Sequence, residues 1–568
     1  MADCAYNAGQ IVEMMKQAAA EGVEVLVLPE LCLTGCTCGD LFWQETLLAG
    51  AAAAMGSIIE ETAGLELLTV LGMPVVEGTE LYNCAVLIKG GRVVARCAKT
   101  KLSVREHRWF APGEPSGVFA ELLPDVTIGV CFDDEAAVEG AQIMLRLSAL
   151  PALAGGGVRR REAVKGLSAR CGCACVCADA GEGESTTDQV FGGHDLIAAN
   201  GVALAERRFE TGLICAELNV EELTGTINEN VPAVSGRDLK IKADPFIPCE
   251  EEREERFEEI LTIAALGLKK RLEHTRCGKA VIGLSGGLDS TLAILTTVRA
   301  YDLLSWDRKG ILAVTMPCFG TTARTRSNAE LLAEGLGTDF ATVDIGAAVK
   351  QHFADIGHDM EDHSVTFENA QARERTQVLM DLANKLGGMV IGTGDLSELA
   401  LGWCTYNGDQ MSMYSVNGGI PKTLMRHLVS HIADRSHERL AAVLRDILDT
   451  PVSPELLPPK DGEIAQRTED LVGPYELHDF YLYYAVGKNL PPRAVFDLAL
   501  EALGDRYDRE TLLKWLKNFY RRFFNQQFKR SCMPDGPQVG TITLSPRGGW
   551  EMPSDAVSAL WLAELEGL

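Results

Sequence analysis

Short apolar runs alternate with longer amphipathic stretches in the second half of the chain. Residues 280–284, 311–315 and 389–391 have the length and the apolar composition of buried strands. Between the second and the third of these runs, residues 375–386 place apolar side chains at helical spacing, and two glycines then end the segment. Strands that alternate with helices predict a doubly wound parallel sheet, which binds ligands at the carboxyl ends of its strands.

The first half of the chain shows a second pattern of strands and helices. Apolar runs that predict strands lie at residues 25–28, 85–88 and 93–95. Helical stretches separate these runs, so we expect an α/β or α+β sandwich. An irregular stretch with three prolines follows near residues 231–248, and we place a linker there.

Length and composition limit the classes of function. A chain of 568 residues should hold roughly two to four domains, and we expect two, at residues 1–235 and 260–568, with a linker at 236–259. The formal net charge of −27 disfavours nucleic acid and anionic membranes as partners. No apolar run reaches the roughly 18 residues of a membrane span. Seventeen cysteines and no recognisable secretion signal lead us to expect reduced thiols in the cytoplasm.

A glycine-rich turn joins one predicted strand to the helix that follows it. Its members are Ser285, Gly286, Gly287, Leu288, Asp289 and Ser290. Backbone N–H groups at the start of a helix bind anionic oxygens, and the helix dipole favours this. A carboxylate at Asp289 beside a bound phosphate needs a cation, so the turn predicts a nucleotide site with Mg²⁺. The turn lacks the lysine of a Walker A loop, which excludes an ordinary P-loop.

A second polar string follows another predicted strand. Residues 392–398 have the sequence GTGDLSE, and the carboxyl ends of parallel strands meet at one edge of a sheet. Glu398 can therefore reach the same Mg²⁺ as Asp289. Lys422, which follows Pro421, is a further candidate for binding the triphosphate. A solvated acid at a helix start and a surface lysine are the alternatives for Glu398 and Lys422.

These strings and several others resemble a known family. The turn at residues 285–290 is similar to the PP-loop of ATP pyrophosphatases. Strings that are similar to the synthetase domain of glutamine-dependent NAD synthetases lie at residues 316–322, 368–375, 392–403, 405–409, 527–537 and 544–556. They are spread across nearly all of residues 260–568. The resemblance implies an ATP-dependent ligase that makes NAD.

The resemblance also implies roles for the residues at matching positions. The six residues of the turn and Thr393 would bind ATP, and Asp289 and Glu398 would hold Mg²⁺. The residues implied for deamido-NAD are Asn369, Glu398, Trp403, Thr405, Tyr406 and Lys529. One departure is Gln538, where the family pattern leads us to expect a lysine.

The implied reaction has two steps. The nicotinate carboxylate of deamido-NAD attacks the α-phosphate of ATP, and Mg²⁺ offsets the charge of the two anions. Ammonia then opens the acyl-adenylate, which gives NAD, AMP and pyrophosphate. The protein mainly brings two anions together and screens their repulsion.

The first half resembles the nitrilase-type glutaminase domain of the same enzymes, an α-β-β-α sandwich. The matching strings lie at residues 28–35, 98–100, 145–151 and 181–201. The resemblance implies a Glu–Lys–Cys triad, with Glu30 and Lys99 at matching positions. In such a triad the cysteine attacks the amide carbon of glutamine, the glutamate carries the proton, and the lysine stabilises the oxyanion.

Two registers are open for the nucleophile of that triad. Cys131, followed by Phe132 and Asp133, fits the nitrilase pattern of an apolar residue, a cysteine, an aromatic residue and an aspartate, and we favour it. Alignment on Gly129 instead puts Asp133 at the nucleophile position, which would abolish thiol chemistry. The segments at residues 102–108 and after Cys131 are short for the family. The half is therefore a working glutaminase, or a degenerate scaffold on a synthetase that takes free ammonia.

Two other functions are weighed against this one. The first is another PP-loop amidotransferase, such as a GMP-synthetase-like ligase, and the strings around Asn369 and Lys529 disfavour it. The second is a non-catalytic binding protein with decayed sites, and the complete strings at residues 285–290 and 392–398 disfavour it. The resemblance also implies a homo-oligomer and a tunnel that carries ammonia between the two sites.

Overall fold

The structure is a computed structural model that describes residues 1–133, 135–228, 241–320, 323–450, 456–457 and 468–568. The chain divides into two units. The first comprises Met1–Ser185 and Val190–Asp238, and the second comprises Thr186–Gln189 and Leu239–Leu568. Residues 229–240 hold the end of the first predicted domain and the beginning of the predicted linker, and they lie outside the described residues.

The first unit is built from two sheets and from helices that precede or connect their strands. Its α-helices in the described residues are α1 (Cys4–Ala20), α2 (Glu45–Glu61) and α3 (Gly156–Cys171). Its strands are β1 (Val25–Val27), β2 (Leu68–Glu77), β3 (Glu80–Lys89), β4 (Arg92–Ala98), β5 (Phe119–Leu123), β6 (Val126–Phe132), β7 (Ile143–Ser148), β8 (Ala174–Asp179), β9 (Asp195–Ala199) and β10 (Val202–Arg207).

The two sheets of the first unit pack face to face. One sheet has the strand order β1-β2-β3-β4, and the other has the order β10-β9-β8-β7-β6-β5. Apolar side chains from both sheets, such as Val70 and Phe132, form the core between them. Helices α1 and α2 cover the outer face of the first sheet, and α3 covers the outer face of the second. This arrangement is the α-β-β-α sandwich that the sequence predicted.

Side chains along β6 alternate between its two faces, as in any strand. Val130 and Phe132 point into the core between the sheets. Cys131 points the other way, toward α3. It packs with Cys173 and Cys175 in a second core, which lies between this sheet and α3. The position of a side chain on β6 therefore decides which of the two cores it meets.

The second unit is a sheet with helices on both faces and a further helical layer. Its strands are β11 (Ala280–Gly283), β12 (Ile311–Thr315), β13 (Asp339–Thr342), β14 (Met389–Gly392) and β15 (Tyr414–Ser415). Its α-helices are α4 (Arg253–Thr275), α5 (Leu288–Leu303), α6 (Ala323–Leu336), α7 (Gly346–Ile356), α8 (Val365–Leu386), α9 (Leu396–Leu401), α10 (Lys422–Arg435), α11 (Glu438–Leu448), α12 (Thr468–Val472), α13 (Tyr475–Tyr481), α14 (Pro492–Leu503), α15 (Arg509–Asn525), α16 (Gln527–Arg530) and α17 (Ala559–Ala563). None of the helices in the described part of the chain is long and apolar enough to cross a membrane.

The sheet of the second unit is parallel throughout, with the strand order β13-β12-β11-β14-β15. The chain first builds outward from β11 to β13 and then returns to the other side of β11 with β14. The order of strands thus reverses between β11 and β14, where the loops that leave these two strands diverge to opposite sides. A doubly wound sheet forms its ligand crevice at this position. The structure confirms the doubly wound parallel sheet predicted from the sequence.

An aromatic core joins the helical layer to this crevice. Helices α13, α14 and α15 pack together through side chains such as Phe480, Phe496 and Phe519, and all three are fully buried. Leu396 and Leu401 of α9 are part of the same core. The short helix that follows β14 is therefore held in place from behind by the helical layer.

Candidate functional site

The turn after β11 is closed on itself at the start of α5. Gly286 has a φ of +83°, and a Cβ atom at this position would lie 2.2 Å from the carbonyl oxygen of Thr325, so only glycine fits. The Ser285 hydroxyl accepts a hydrogen bond from the Gly287 N–H at 3.2 Å and lies 3.1 Å from the Ser290 hydroxyl. The result is a tight glycine turn that leads directly into a helix N-terminus, as a phosphate site requires.

The loop after β14 is fixed by a capping box. The Asp395 carboxylate accepts a hydrogen bond from the Glu398 N–H at 2.8 Å, and the Asp395 N–H is 3.4 Å from the Glu398 carboxylate. The side-chain amide of Asn417 donates to the carbonyl oxygens of Asp289 at 2.9 Å and Thr393 at 3.0 Å. Asn417 thereby joins the two loops at the carboxyl ends of β11 and β14.

Three carboxylates lie close together where Asn417 connects the two loops. Asp289, Asp395 and Glu398 each offer one oxygen, and these oxygens lie within 4.8 Å of one another. Carboxylate oxygens are the ligands that Mg²⁺ takes in proteins, and a cluster of this size can surround one hard cation. Asp289 and Glu398, the two metal ligands predicted from the sequence, are thus both in the cluster. Asp395 was missed, although it stands three residues before Glu398 in the pattern of a capping box.

A buried lysine lies in the centre of the cluster. The Lys422 ammonium is 2.5 Å from Asp289, 2.6 Å from Asp395 and 3.1 Å from Glu398. Burial raises the pKa of Asp395 to about 7, and the lysine only partly offsets this. Burial likewise raises the pKa of Glu398 well above its usual range. Burial alone would lower the pKa of Lys422, but the three carboxylates raise it well above its usual value. The site therefore holds charges of both signs close together, with Lys422 and Asp395 buried and Asp289 and Glu398 partly exposed.

A pocket lies beside these groups. Glu398, Cys404, Asp409, Asp188 and Arg547 are among the residues that line it. The Arg547 guanidinium is 2.7 Å from the Asp188 carboxylate, so this pair neutralises itself.

Gln538, which departs from the family pattern, also lines this pocket. Its side-chain amide donates to the Gly540 carbonyl oxygen at 2.8 Å. The amide thus carries no charge into the pocket, and its donor meets a backbone oxygen.

Three of the residues predicted for deamido-NAD, Trp403, Thr405 and Tyr406, lie on the loop after α9, and Cys404 of this loop lines the pocket. The Thr405 hydroxyl donates to the Asn369 side-chain oxygen at 2.8 Å, which joins the loop to α8. The Lys529 ammonium donates to the carbonyl oxygens of Gly402 and Cys404, both at 2.7 Å. We expected Lys529 to present a cation to an anionic ligand, whereas these two bonds direct it to the backbone of the loop. Its role in binding deamido-NAD stays a prediction.

The two aromatic residues of this loop, Trp403 and Tyr406, differ in how exposed they are. The Tyr406 side chain is 43% exposed, and its ring lies 5.4 Å from that of Phe528, centroid to centroid. The Trp403 ring is half-buried and carries the Arg522 guanidinium at 5.3 Å from its centroid. Tyr406 thus offers a free aromatic surface, and Trp403 meets a cation on at least one side.

Two predicted residues of the first unit form a buried ion pair. The Lys99 ammonium is 2.9 Å from the Glu30 carboxylate and 2.8 Å from Glu106. The Asn83 side-chain amide donates to the same Glu30 oxygen at 2.5 Å. Burial raises the pKa of Glu30 to about 7, against the opposing effect of Lys99. A carboxyl group with this pKa exchanges protons readily near neutral pH. Glu106 lies in the short segment 102–108 and was not foreseen.

The third predicted residue, Cys131, lies on the other face of β6. Its thiol accepts a hydrogen bond from Arg146 at 3.6 Å, and burial raises its pKa to about 11. The Lys99 ammonium instead approaches Phe132, at 5.6 Å from the ring centroid. Phe132 and Cys131 point in opposite directions, so the structure places the thiol away from the side of the strand that Lys99 approaches. The nucleophile role of Cys131 stays a prediction.

Two buried arginines, one from β7 and one from α3, lie beside the end of β6, and the sequence did not predict them. The Asp133 carboxylate lies 3.7 Å from Arg146 and 3.9 Å from Arg160, and Arg160 pairs with Asp179 at 2.7 Å. The sequence signal was Arg146 itself, a charge in the middle of the apolar run that forms β7. Charged side chains are rarely buried unless they are paired, so a partner was to be expected.

Comparison with known proteins gives matches to both units. A family model described as carbon-nitrogen hydrolase matches residues 1–228, and one described as NAD synthase matches residues 260–507. The chain is 36% identical to the glutamine-dependent NAD(+) synthetase of Mycobacterium leprae, with 99% of this chain and 96% of that protein covered. It is 25% identical to the enzyme of the same name from Thermotoga maritima, with 97% and 96% covered.

Two solved structures resemble the fold over the full length. The glutamine-dependent NAD(+) synthetase of Cytophaga hutchinsonii superposes with a TM-score of 0.79 at 21% identity, over 99% of this chain and 97% of that one. The enzyme of Acinetobacter baumannii in complex with ADP gives a TM-score of 0.67 at 21% identity, over 96% and 95%. At these identities the structural matches bear on the fold alone.

Proposed function

The chain belongs to the family of glutamine-dependent NAD(+) synthetases, and we propose that it converts deamido-NAD to NAD with ATP and the amide nitrogen of glutamine. The observation that carries the proposal is the group of Asp289, Glu398 and Lys422 at the carboxyl ends of β11 and β14. These groups lie directly beside the glycine turn. Together they supply the positive and negative charge that a triphosphate with its cation needs.

The ATP site consists of the turn and the loop opposite. We assign the ATP phosphates to the turn, whose members are Ser285, Gly286, Gly287, Leu288, Asp289 and Ser290. Thr393 contacts the nucleotide from the neighbouring loop, which Asn417 holds against the turn. Lys422 binds the triphosphate as a point charge, because its ammonium lies at the same edge of the sheet.

Asp289 and Glu398 would hold Mg²⁺, because carboxylate oxygens are the ligands that this cation takes. The Lys422 ammonium contacts the same two carboxylates in the structure, so binding of the cation requires the ammonium to give up these contacts. When bound, the cation draws charge away from the phosphates of ATP. The chain's own contribution is to keep the two carboxylates in place through the capping box and through Asn417. Removal of divalent cations with a chelator is expected to abolish NAD formation, and added Mg²⁺ is expected to restore it.

Deamido-NAD binds next to the ATP site in this proposal. Asn369, Thr405 and Trp403 shape the loop, and the exposed ring of Tyr406 offers a stacking surface for an aromatic ring of the dinucleotide. Lys529 supports the backbone of the same loop through two hydrogen bonds. Its ammonium also adds positive potential near an anionic substrate.

The first unit supplies ammonia. The Cys131 thiol would give its proton to Glu30 and attack the amide carbon of glutamine, while the Lys99 ammonium stabilises the oxyanion. Ammonia leaves with the proton from Glu30, and water then releases glutamate from the thioester. This step requires the Cys131 thiol to reach the side of β6 on which Glu30 and Lys99 lie.

A synthetase that takes free ammonia is the second candidate function. The observation in its favour is the orientation of Cys131, which faces α3 and Arg146. The two candidates share the whole chemistry of the second unit. They differ only in the source of nitrogen, so the choice between them leaves the ATP site unchanged.

The test of the synthetase chemistry is the release of pyrophosphate from ATP with ammonium as nitrogen donor. We expect release only when deamido-NAD is present, with equal amounts of NAD and AMP formed. Xanthosine monophosphate serves as the competing substrate, because it is the acceptor of a GMP-synthetase-like ligase. Pyrophosphate release with that substrate, and none with deamido-NAD, would disprove the proposal.

The family resemblance also leads us to propose a homo-oligomer in the cytoplasm. All seventeen cysteines are free thiols in the structure, in keeping with a reducing compartment. Light scattering of the purified protein tests the first part. A mass of 61.4 kDa, that of one chain, would contradict it.

A further inference from the structure

Asp479 of α13 is a buried carboxylate that the chemistry described above does not use. It is 1% exposed. One of its oxygens accepts a hydrogen bond from the Ser397 hydroxyl. The other accepts two, from the Thr423 N–H at 3.0 Å and from the Thr423 hydroxyl at 2.7 Å. Both partners lie in the first turn of a helix, Ser397 in α9 and Thr423 in α10.

These two helix starts carry the charged groups of the ATP site. Ser397 is next to Glu398 in α9, and Thr423 is next to Lys422 in α10. Ser397 completes the connection, because its hydroxyl also accepts a hydrogen bond from the Lys422 N–H at 2.8 Å. The Asp479 carboxylate therefore connects α9, which carries Glu398, to α10, which carries Lys422.

We propose that Asp479 is a positioning residue for ATP binding, which sets the place of the Lys422 ammonium relative to Asp289 and Glu398. The inference rests on the proposed ATP site. Helix starts attract negative charge, so a carboxylate between two of them draws both toward one point. Hydrogen bonds to a charged group are stronger and shorter than neutral ones, which makes the joint stiff. Asp479 is buried and acts through Ser397 and Thr423.

The distances explain why a small displacement matters. The Lys422 ammonium contacts three carboxylates at 2.5 to 3.1 Å, so a shift of α10 by about 1 Å would break some of these contacts. The same shift moves the ammonium relative to the phosphate turn.

The test is a double-mutant cycle on the affinity for ATP in the presence of Mg²⁺, measured by calorimetry on the full chain. Asp479→Asn keeps the size of the side chain and removes its charge, and Lys422→Met removes the ammonium. We expect Asp479→Asn to raise the Kd for ATP by about tenfold in the wild-type background. In the Lys422→Met background we expect a further change of less than about twofold, because Asp479 acts through Lys422.

A second variant replaces Asp479→Asn in the test if that variant does not fold, and a third serves as the control. Thr423→Val removes one hydrogen bond to Asp479 and keeps the backbone N–H, and we expect the same dependence on Lys422 at a smaller size. Asp446→Asn is the matched control. Asp446 pairs with Arg324 on the surface at 2.7 Å, and its loss is expected to leave the Kd unchanged.

The outcomes separate this inference from the proposed function. Losses that multiply independently, with the same factor for Asp479→Asn in both backgrounds, would overturn the positioning role. An unchanged Kd in Asp479→Asn would overturn it as well. Failure of the wild type to make NAD while it still binds ATP would count against the proposed function, and the cycle on ATP affinity would still be readable.

Discussion

Among single residues, the sequence predicted two pairs of side chains that meet, whereas Cys131 lies on the other face of β6 from the side that Lys99 approaches. Glu30 was expected beside Lys99, and Asp289 was expected beside Glu398; both pairs are close in the structure. Asp479 was not foreseen, because its string resembles no motif and its partners lie more than 50 residues away in the sequence. Long-range hydrogen bonds leave no periodic signal in a single sequence.

The raised pKa of Glu30 predicts how glutamine hydrolysis depends on pH. The carboxyl must be ionised to accept the thiol proton, and its pKa is about 7. We therefore expect glutamate release to fall by about tenfold per pH unit as the pH drops below 7. Glutamate release measured from pH 8 to 5.5 checks this. A rate that stays constant over this range would rule out Glu30 as the base.

Replacement of Cys131 tests the nucleophile directly. Cys131→Ala is expected to lower glutamate release by roughly 10³-fold or more, since the covalent step is lost. NAD formation with ammonium should persist. Cys173→Ala is the matched control, because Cys173 is buried in the same apolar core. Unaltered glutamate release in Cys131→Ala would exclude this residue, and its orientation toward Arg146 makes that outcome informative.

Among the helices and strands, the predicted bounds agree best with the observed ones where a short run of residues is apolar throughout. The run at residues 311–315 coincides with β12. The predicted helix at 375–386 is the second half of α8, which begins ten residues earlier, at Val365. The earlier part was missed because it lacks a continuous apolar stripe. Strand β15 has only two residues, which is too short for any periodicity.

The glycine turn after β11 offers a test of one element. Gly286→Ala would force a Cβ to within 2.2 Å of a backbone oxygen at a φ of +83°, so the turn must deform. We expect the Kd for ATP to rise by about tenfold or more. Gly278→Ala is the control, because nothing lies within 4 Å of the Cβ it would add. Equal ATP affinity in both variants would show that the turn does not bind the phosphates.

At the scale of the whole molecule, the sequence predicted two α/β units of different architecture, and both are present. The sandwich and the doubly wound sheet followed from the resemblance and from the alternation of strands and helices. The boundary was harder to predict. Residues Thr186–Gln189 belong to the second unit although the chain on either side of them belongs to the first. Which unit such a short segment joins depends on tertiary packing, and the amino-acid composition of the segment does not indicate it.

Two chemistries in two units predict separable defects. Asp289→Asn is expected to lower NAD formation by about a hundredfold with either nitrogen donor, because it removes a charge from the ATP site. Glutamate release should continue. Glu30→Gln should do the opposite, with NAD formation lost for glutamine and kept for ammonium. Loss of both activities in both variants, with the fold intact by circular dichroism, would argue against separate sites.

NAD formation from deamido-NAD, ATP and Mg²⁺ is the decisive measurement, with glutamine as the nitrogen donor in one reaction and ammonium in the other. We expect NAD in both reactions. NAD with ammonium alone would contradict the glutamine-dependent function and favour the second candidate. NAD in neither reaction, beside an active control enzyme, would contradict the synthetase assignment itself.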